Sequence, residues 1–361
     1  MKILFVTEHF YPHVGGGEKL FFDLAKSLKN RGEIVKIATS NSGGKSGEHR
    51  LEDLDIISFK WPNLFGHPVP TIKSLENEIE WADVVFTTIF TAGPIAQRVS
   101  ARHRKPCILI SYEYIGSKWF TITNPFLATV FLVFEKYVYH RDYSSYIAIS
   151  KSTKRDMISN GIKANKITQI YPVFNNFSYW REKNKEIQKK EKVFLYYGRP
   201  GKTKGVFVLI KSIIYLKENL PKNVEFHFVV SDDPIAERKK LEKAVQKNNL
   251  SDIVKIMSSL PQDDLREKIR SSFCVIIPSI TEGFGYSAYQ ASLMKKRIII
   301  SDAGSLPEVV SGKCIIFKNK DSKNLANAIS RATKDEFDIF TDEVKGNNTK
   351  KVVELYTKLL R

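Results

Sequence analysis

The residues best placed to do chemistry lie in P-S-I-T-E-G-F-G-Y-S-A-Y-Q-A, Pro278 to Ala291. This stretch follows an apolar run, Cys274–Ile277, so it should leave the carboxyl end of a strand and open a helix. Glu282 is then expected to project outward, with Gly283 and Gly285 leaving backbone amides accessible beside Phe284 and Tyr286. Gln290 follows Glu282 by about two helical turns, on the same face. An acid at a helix start and an amide two turns on could grip two parts of one ligand, such as a sugar and a ribose. A second candidate is Y-Y-G-R-P-G-K-T-K-G, where Arg199 and Lys204 flank a Gly/Pro-rich turn. A planar guanidinium fork and a compact ammonium there suit a diphosphate. A third is Y-P-H-V-G-G-G-E, in which Gly15 and Gly16 precede a helix and let backbone approach anionic oxygen. The dinucleotide fingerprint G-x-G-x-x-G is not in its usual place, and the second strand ends in Thr39-Ser40 with no acid for a ribose. A nicotinamide enzyme is therefore disfavoured.

These groups need a scaffold, and the hydrophobic pattern supplies one. Strand-like runs fall at Ile3–Thr7, Ile34–Thr39, Val84–Thr88, Ile108–Ser111 and Tyr146–Ser150, with a helix over Glu18–Asn30 ended by Arg31-Gly32. The polar segment from Trp180 to Lys192 breaks the series and reads as a solvated linker. A second series follows at Val193–Tyr197, Glu225–Val230, Val254–Met257, Cys274–Ile277, Ile298–Ser301 and Cys314–Phe317. Helices are expected between them at Val206–Glu218, Ala236–Asn248, Asp263–Arg270 and Tyr286–Lys295. Such alternation implies βαβ crossovers and mostly parallel sheets. The expected division is 1–174 and 193–344, two Rossmann-like domains joined by a hinge at 175–192. A C-terminal helix at 345–361 could return to the first domain. In open α/β sheets ligands bind beyond the carboxyl ends of the strands.

The chain has 361 residues, 42% hydrophobic and 27% charged, which is a globular composition. Its net charge is +18; residues 1–190 carry 27 basic and 18 acidic side chains and the remainder 30 and 21. The excess is spread over the fold and favours anionic partners: nucleic acid, a phosphorylated substrate or an acidic membrane. No nucleic-acid-binding motif is present, so nucleic acid is set aside. Cys107, Cys274 and Cys314 each sit in an apolar run and are expected in buried strands. There is no signal-peptide pattern and no apolar run near the roughly 20 residues of a membrane span, so a cytoplasmic location is expected.

The motifs taken together resemble the family-four retaining glycosyltransferases, the glycosyl transferases group 1 of GT-B fold. The marks run in order: G-G-x-E at Gly15, Gly16 and Glu18; G-R…K-G at Gly198, Arg199, Lys204 and Gly205; P-S…E-G-F-G at Pro278, Ser279 and Glu282–Gly285; G-x-x-P-E at Gly304, Pro307 and Glu308. The resemblance implies two facing doubly wound domains with an interdomain cleft. It also implies transfer from a nucleotide diphosphate sugar to a lipid-linked or surface-glycan acceptor, with anomeric retention and no metal. On that resemblance Arg199 and Lys204 would hold the diphosphate and stabilise the leaving group. Glu282 would contact the sugar's hydroxyls, supported by the Phe284–Tyr286 backbone, and Gly15 and Gly16 would approach the phosphates. Two positions depart from the family. Gln290 stands where a second Glu binds the ribose. Tyr112 or Glu113 stands where many members have a His near the reacting centre, which makes Glu113 a catalytic candidate. The alternative reading is a catalytically weak or silent nucleotide-sugar-binding subunit of the same fold.

Two metal-like patterns carry less. His9 and His13 are interrupted by Pro12, and Asp53-Leu54-Asp55 reads as exposed charge, so no metal is expected. Lys118 to Tyr143 is rich in aromatics, and Asn124-Pro125 should start a helix running to about His140. Either it packs Leu127, Phe131, Phe134 and Val138 into the core, or it lies on an anionic membrane surface, which would make the protein peripheral at the cytoplasmic face.

Overall fold

The computed structural model describes residues 1–361 apart from 12, 14, 42–45, 65–66, 176, 182–190, 233, 342–348 and 360–361. The chain forms two compact units, Met1–Asn175 with Asn348–Arg361, and Asn176–Asn347.

The first unit holds strands β1 (Lys2–Val6), β2 (Ile34–Ser40), β3 (Gly47–Leu51), β4 (Leu54–Phe59), a two-stranded ribbon β5 (Asn63–Leu64) and β6 (His67–Pro68), β7 (Val84–Thr87), β8 (Cys107–Ser111), β9 (Ser145–Ala148) and β10 (Ile167–Gln169). Its eight-stranded sheet runs β10-β9-β8-β7-β1-β2-β4-β3, parallel except for the edge strand β3. The helices are α1 (Gly16–Lys29), α2 (Ile72–Trp81), α3 (Ala92–Arg102), α4 (Trp119–Ile122), α5 (Pro125–Tyr139), α6 (Lys151–Ser159) and, from the far end of the chain, α13 (Thr349–Leu359). Strands covered on both faces read as unbroken apolar runs, and the central ones are fully buried: Ile3, Leu4, Phe5 and Val6 in β1, Val85 and Phe86 in β7.

The second unit has seven strands ordered β13-β12-β11-β14-β15-β16-β17, parallel except for β17. They are β11 (Lys192–Gly198), β12 (Val224–Val230), β13 (Val254–Met257), β14 (Cys274–Ile277), β15 (Arg297–Ser301), β16 (Gly312–Phe317) and β17 (Asp338–Phe340). Helices α7 (Phe177–Trp180), α8 (Val206–Leu216), α9 (Ile235–Lys247), α10 (Gln262–Ser271), α11 (Tyr286–Leu293) and α12 (Ser322–Thr333) belong to it. Phe194, Phe226 and Phe228 fill its core with Val206, Ile213, Cys274 and Ile329. All three cysteines are buried, and burial pushes the Cys107 and Cys314 thiols up to about 12, so they act as small apolar residues.

Both sheets reverse strand order once near the middle. In the first, successive crossovers leave β1 in one direction and β7 in the other; in the second, β11 and β14 part the same way. In α/β sheets, ligands bind at the carboxyl ends of the strands on either side of such a reversal. The segment read as a linker starts with structure: α7 ends in Trp180, which is 2% exposed. Its residues 182–190 lie outside the described set.

Candidate active site at the second reversal point

The reversal point of the second unit carries two loops, one after β11 and one after β14. The β11 loop ends at Gly205, whose φ of +68° starts α8; the β14 loop ends at Gly285, φ +87°, which starts α11. Glycine takes this left-handed backbone without the Cβ penalty, so each loop turns sharply and presents a helix N-terminus. The loops pack with no room for a side chain at their crossing: a Cβ on Gly205 would lie 1.7 Å from the Pro278 carbonyl oxygen. The Ile280 amide donates to the Thr203 carbonyl at 2.7 Å and locks them together.

This crossing brings Lys204 to Glu282. The Lys204 ammonium donates to both carboxylate oxygens, at 2.9 Å and 2.7 Å, across 78 residues of sequence. Glu282 is held in turn through its backbone. Its carbonyl accepts from the Ser305 amide at 3.2 Å, and a Cβ on Gly304 would sit 2.0 Å from that same oxygen. The Lys204 and Glu282 side chains are 30% and 12% exposed, so the pair is part-buried yet open to a competing anion. Arg199 is exposed at the mouth of the loop, and its carbonyl accepts from the Tyr196 hydroxyl at 2.7 Å. Burial, then the neighbouring Glu282 carboxylate, raises the Tyr196 hydroxyl, keeping it a protonated donor.

Two cations, two helix N-termini and one anchored carboxylate thus share one strand edge. Such a set can bind a dianionic phosphate chain and a polyhydroxylated group next to it. Gln290, on α11, is half-buried, and the Phe284 ring packs on Tyr286 at 5.2 Å, fixing the strand-to-helix corner.

The remaining sequence candidates lie in the first unit. Gly15 is extended (φ −166°) and is covered by the Glu18 carboxylate, which also meets His13 Nδ1 at 3.1 Å. A Cβ on Gly17 would come 2.9 Å from the Tyr112 ring, whereas one on Gly15 would meet only the movable end of the Glu18 side chain. Glu113 follows β8, half-buried, and its carbonyl accepts from Tyr139 Oη at 2.9 Å. His9 and His13 stack with centroids 4.6 Å apart. Asp53 sits in the β3–β4 turn with positive φ, and Asp55 pairs with Arg50 at 2.8 Å.

Glu8 and Asn319 had no sequence signal. Fully buried at the end of β1, Glu8 accepts from Thr88 Oγ1 at 2.7 Å, Thr91 Oγ1 at 3.1 Å and the Ala92 amide at the start of α3. Burial raises its carboxyl above the usual range despite those donors. Asn319 Nδ2 donates to the Ile280 carbonyl at 2.8 Å, bracing the β14 loop from a distant position. An isolated acid or amide carries no periodicity, so only the packed structure reveals it.

Sequence profiles of two glycosyltransferase families match consecutive stretches: Glycosyltransferase Family 4 over residues 14–175 and Glycosyl transferases group 1 over 179–352. The chain belongs to the group 1 glycosyltransferases. Among curated relatives, this glycosyltransferase is 27% identical over 226 residues to an uncharacterized glycosyltransferase of Methanocaldococcus jannaschii, a match covering 58% of this chain and 56% of that protein. It therefore spans about half the length of that relative. It is 22% identical to the GPI3 subunit of the phosphatidylinositol N-acetylglucosaminyltransferase of Saccharomyces cerevisiae, over 99% of this chain and 83% of that one. In fold it is similar to Anabaena HepE, solved in complex with UDP, at TM-score 0.76 and 18% identity, covering 100% of this chain and 99% of HepE. Its two Rossmann-like units are those of the GT-B fold.

Proposed function

We propose that this protein transfers a sugar from a nucleotide diphosphate sugar, with retention and without a metal, onto a lipid-linked or glycan acceptor. The observation that carries the reading is the Lys204–Glu282 pair, set between two glycine-started helices at the strand-order reversal. On arrival of the donor, the diphosphate takes Lys204 and Arg199, and Glu282 is released to the transferred sugar's hydroxyls. Charge growing on the leaving diphosphate is then met by two cations and the first amides of α8 and α11. Gln290 accepts and donates to the ribose diol without charge. Glu113 is the candidate acid–base group of the first unit.

The HepE complex makes UDP the first donor half to test, and the GPI3 relative makes a phosphatidylinositol-type lipid the first acceptor. A lipid acceptor places the protein peripherally at a membrane. The experiment is a thermal-shift screen of nucleotide diphosphates with chelator present, followed by transfer assays and NMR of the product's anomeric configuration. A ligand at 100 times its Kd stabilises the fold by about 2.7 kcal/mol. Binding with no turnover on any acceptor would favour the silent-subunit alternative. Absence of any nucleotide shift, or inversion in the product, contradicts the proposal.

A further inference from the structure

We propose that α5, with the basic edge formed by α6 and Lys118, is a docking surface for an anionic phospholipid bilayer. The inference deepens the lipid-acceptor reading and rests on it for its purpose, while the surface itself is read from the first unit alone.

Only a thin stripe of α5 is buried: Ala128, Glu135, Val138 and Tyr139. The rest stands out from the fold. Phe126 is 77% exposed, Val133 62%, Tyr137 51% and Val130 43%, with Phe120 of α4 adding 47%. Phe131 and Phe134, whose spacing would suit a core helix, are 37% and 36% exposed. Scattered apolar residues on a surface mean little, but a contiguous aromatic helix face marks an interaction site.

Charge selects the occupant. The helix has a single acid, Glu135, and it is turned inward: it accepts from the Ile115 amide at 2.8 Å, the Gly116 amide at 2.7 Å and Trp119 Nε1 at 3.2 Å. The outward face is thus free of carboxylate and carries Lys136, with Arg141 over the Tyr137 ring at 5.5 Å. Lys118, in the turn ahead of α4, pairs with Asp156 of α6 at 2.8 Å and ties that turn to α6. On α6, Lys151, Lys154 and Arg155 line a shallow pocket of about 370 Å³ with Ile158, itself 42% exposed.

An apolar helix beside cations matches the acyl boundary and phosphate layer of a bilayer. A second copy of this chain is a poor occupant, because self-pairing would bring like-charged rims together. Fifteen residues of helix reach about 22 Å, short of the roughly 30 Å hydrocarbon core, so α5 lies in the interface plane. Among the described residues no helix is long and apolar enough to cross a membrane.

The test is flotation of the full chain with phosphatidylcholine vesicles, with and without phosphatidylglycerol, at low and high salt. Binding should require phosphatidylglycerol and weaken with salt. Phe126→Ser/Val133→Ser should lower the partition coefficient at least tenfold, and Lys151→Gln/Lys154→Gln/Arg155→Gln by about 100-fold, from roughly fivefold per cation. The nucleotide thermal shift should stay unchanged in both variants, which shows them folded and separates this surface from the donor site. Equal binding to neutral vesicles, or vesicle binding indifferent to both sets of substitutions, overturns the proposal. So does a dimer that Phe126→Ser/Val133→Ser dissociates while the parent ignores lipid.

Discussion

Replacing Gly205 by alanine tests whether the crossing of the two loops builds the donor site. An alanine Cβ would stand 1.7 Å from the Pro278 oxygen and 2.6 Å from its carbonyl carbon, both backbone atoms. Real contacts do not fall below 3.0 Å, so the loops must part by about 1.3 Å. The left-handed backbone costs alanine about 1–2 kcal/mol. Parting the loops also breaks the 2.7 Å bond from Ile280 to Thr203, worth about 1 kcal/mol. A loss of about 2–3 kcal/mol should lower the Tm of the second unit by roughly 5–10 °C. Activity should suffer more, because Lys204 is the neighbour of Gly205 and Glu282 lies four residues after Pro278. A displacement near 1 Å at positioned charges costs about 100-fold in kcat/KM. Gly201→Ala is the control in the same loop, since its Cβ would meet nothing nearer than Thr203 Oγ1 at 3.9 Å, at a φ of −112°. It should stay within twofold in activity and about 1–2 °C in Tm. If Gly205→Ala matches Gly201→Ala in Tm, nucleotide shift and transfer rate, the loop crossing does not organise this site.

Three other outcomes are expected. Arg199→Ala and Lys204→Ala should each lower kcat/KM for donor by roughly 100- to 1,000-fold; steady-state kinetics within twofold of the parent would remove both from the phosphate grip. Glu8 has a carboxyl raised by burial, so its stabilising contribution is complete below its ordinary value of 4.5 and is lost as pH rises through the raised one. Urea denaturation across pH 4.5–8 should therefore show the parent losing up to about 1.4 kcal/mol per pH unit relative to Glu8→Gln, and parallel curves would contradict the burial argument. Glu135→Ala strands the Ile115 and Gly116 amides and the Trp119 indole, and should destabilise the first unit by about 2–4 kcal/mol with a red shift in tryptophan fluorescence. Glu135→Gln, which keeps an acceptor, should recover part of that loss.

The central strands were legible because burial on both faces writes them as apolar runs, and Cys274–Ile277 matches residue for residue. The edge strands Gly47–Leu51 and Asp338–Phe340 were not: the first is almost wholly exposed and the second nearly so, which leaves neither run nor alternation to detect. The spacing of Leu127, Phe131, Phe134 and Val138 fitted a core helix and a surface helix equally. The fold buries only Val138 of the four, and periodicity alone carries no sign of which face turns inward. Lys204 and Glu282 could be singled out one by one from their loops. Their bond is set by the β11–β14 pairing and by Gly205, a tertiary fact that local sequence does not encode.

The course of the chain also orders events during its own synthesis. Helix α13 covers the first unit with Val352, Val353 and the fully buried Tyr356, whose ring meets Phe86 of β7 edge-on at 6.3 Å. The second unit is thus an insertion within the first. On the ribosome, residue 349 follows residue 175 by roughly 10–35 s at about 5–20 residues per second. Throughout that interval the first unit waits with Phe86 uncovered, while the second emerges whole. The unit translated first is therefore the one completed last, and a chain that ends before residue 349 holds all of the second unit but only part of the first. Cutting the chain ahead of α13 should accordingly weaken the unit that begins at Met1 and spare the one next to the cut.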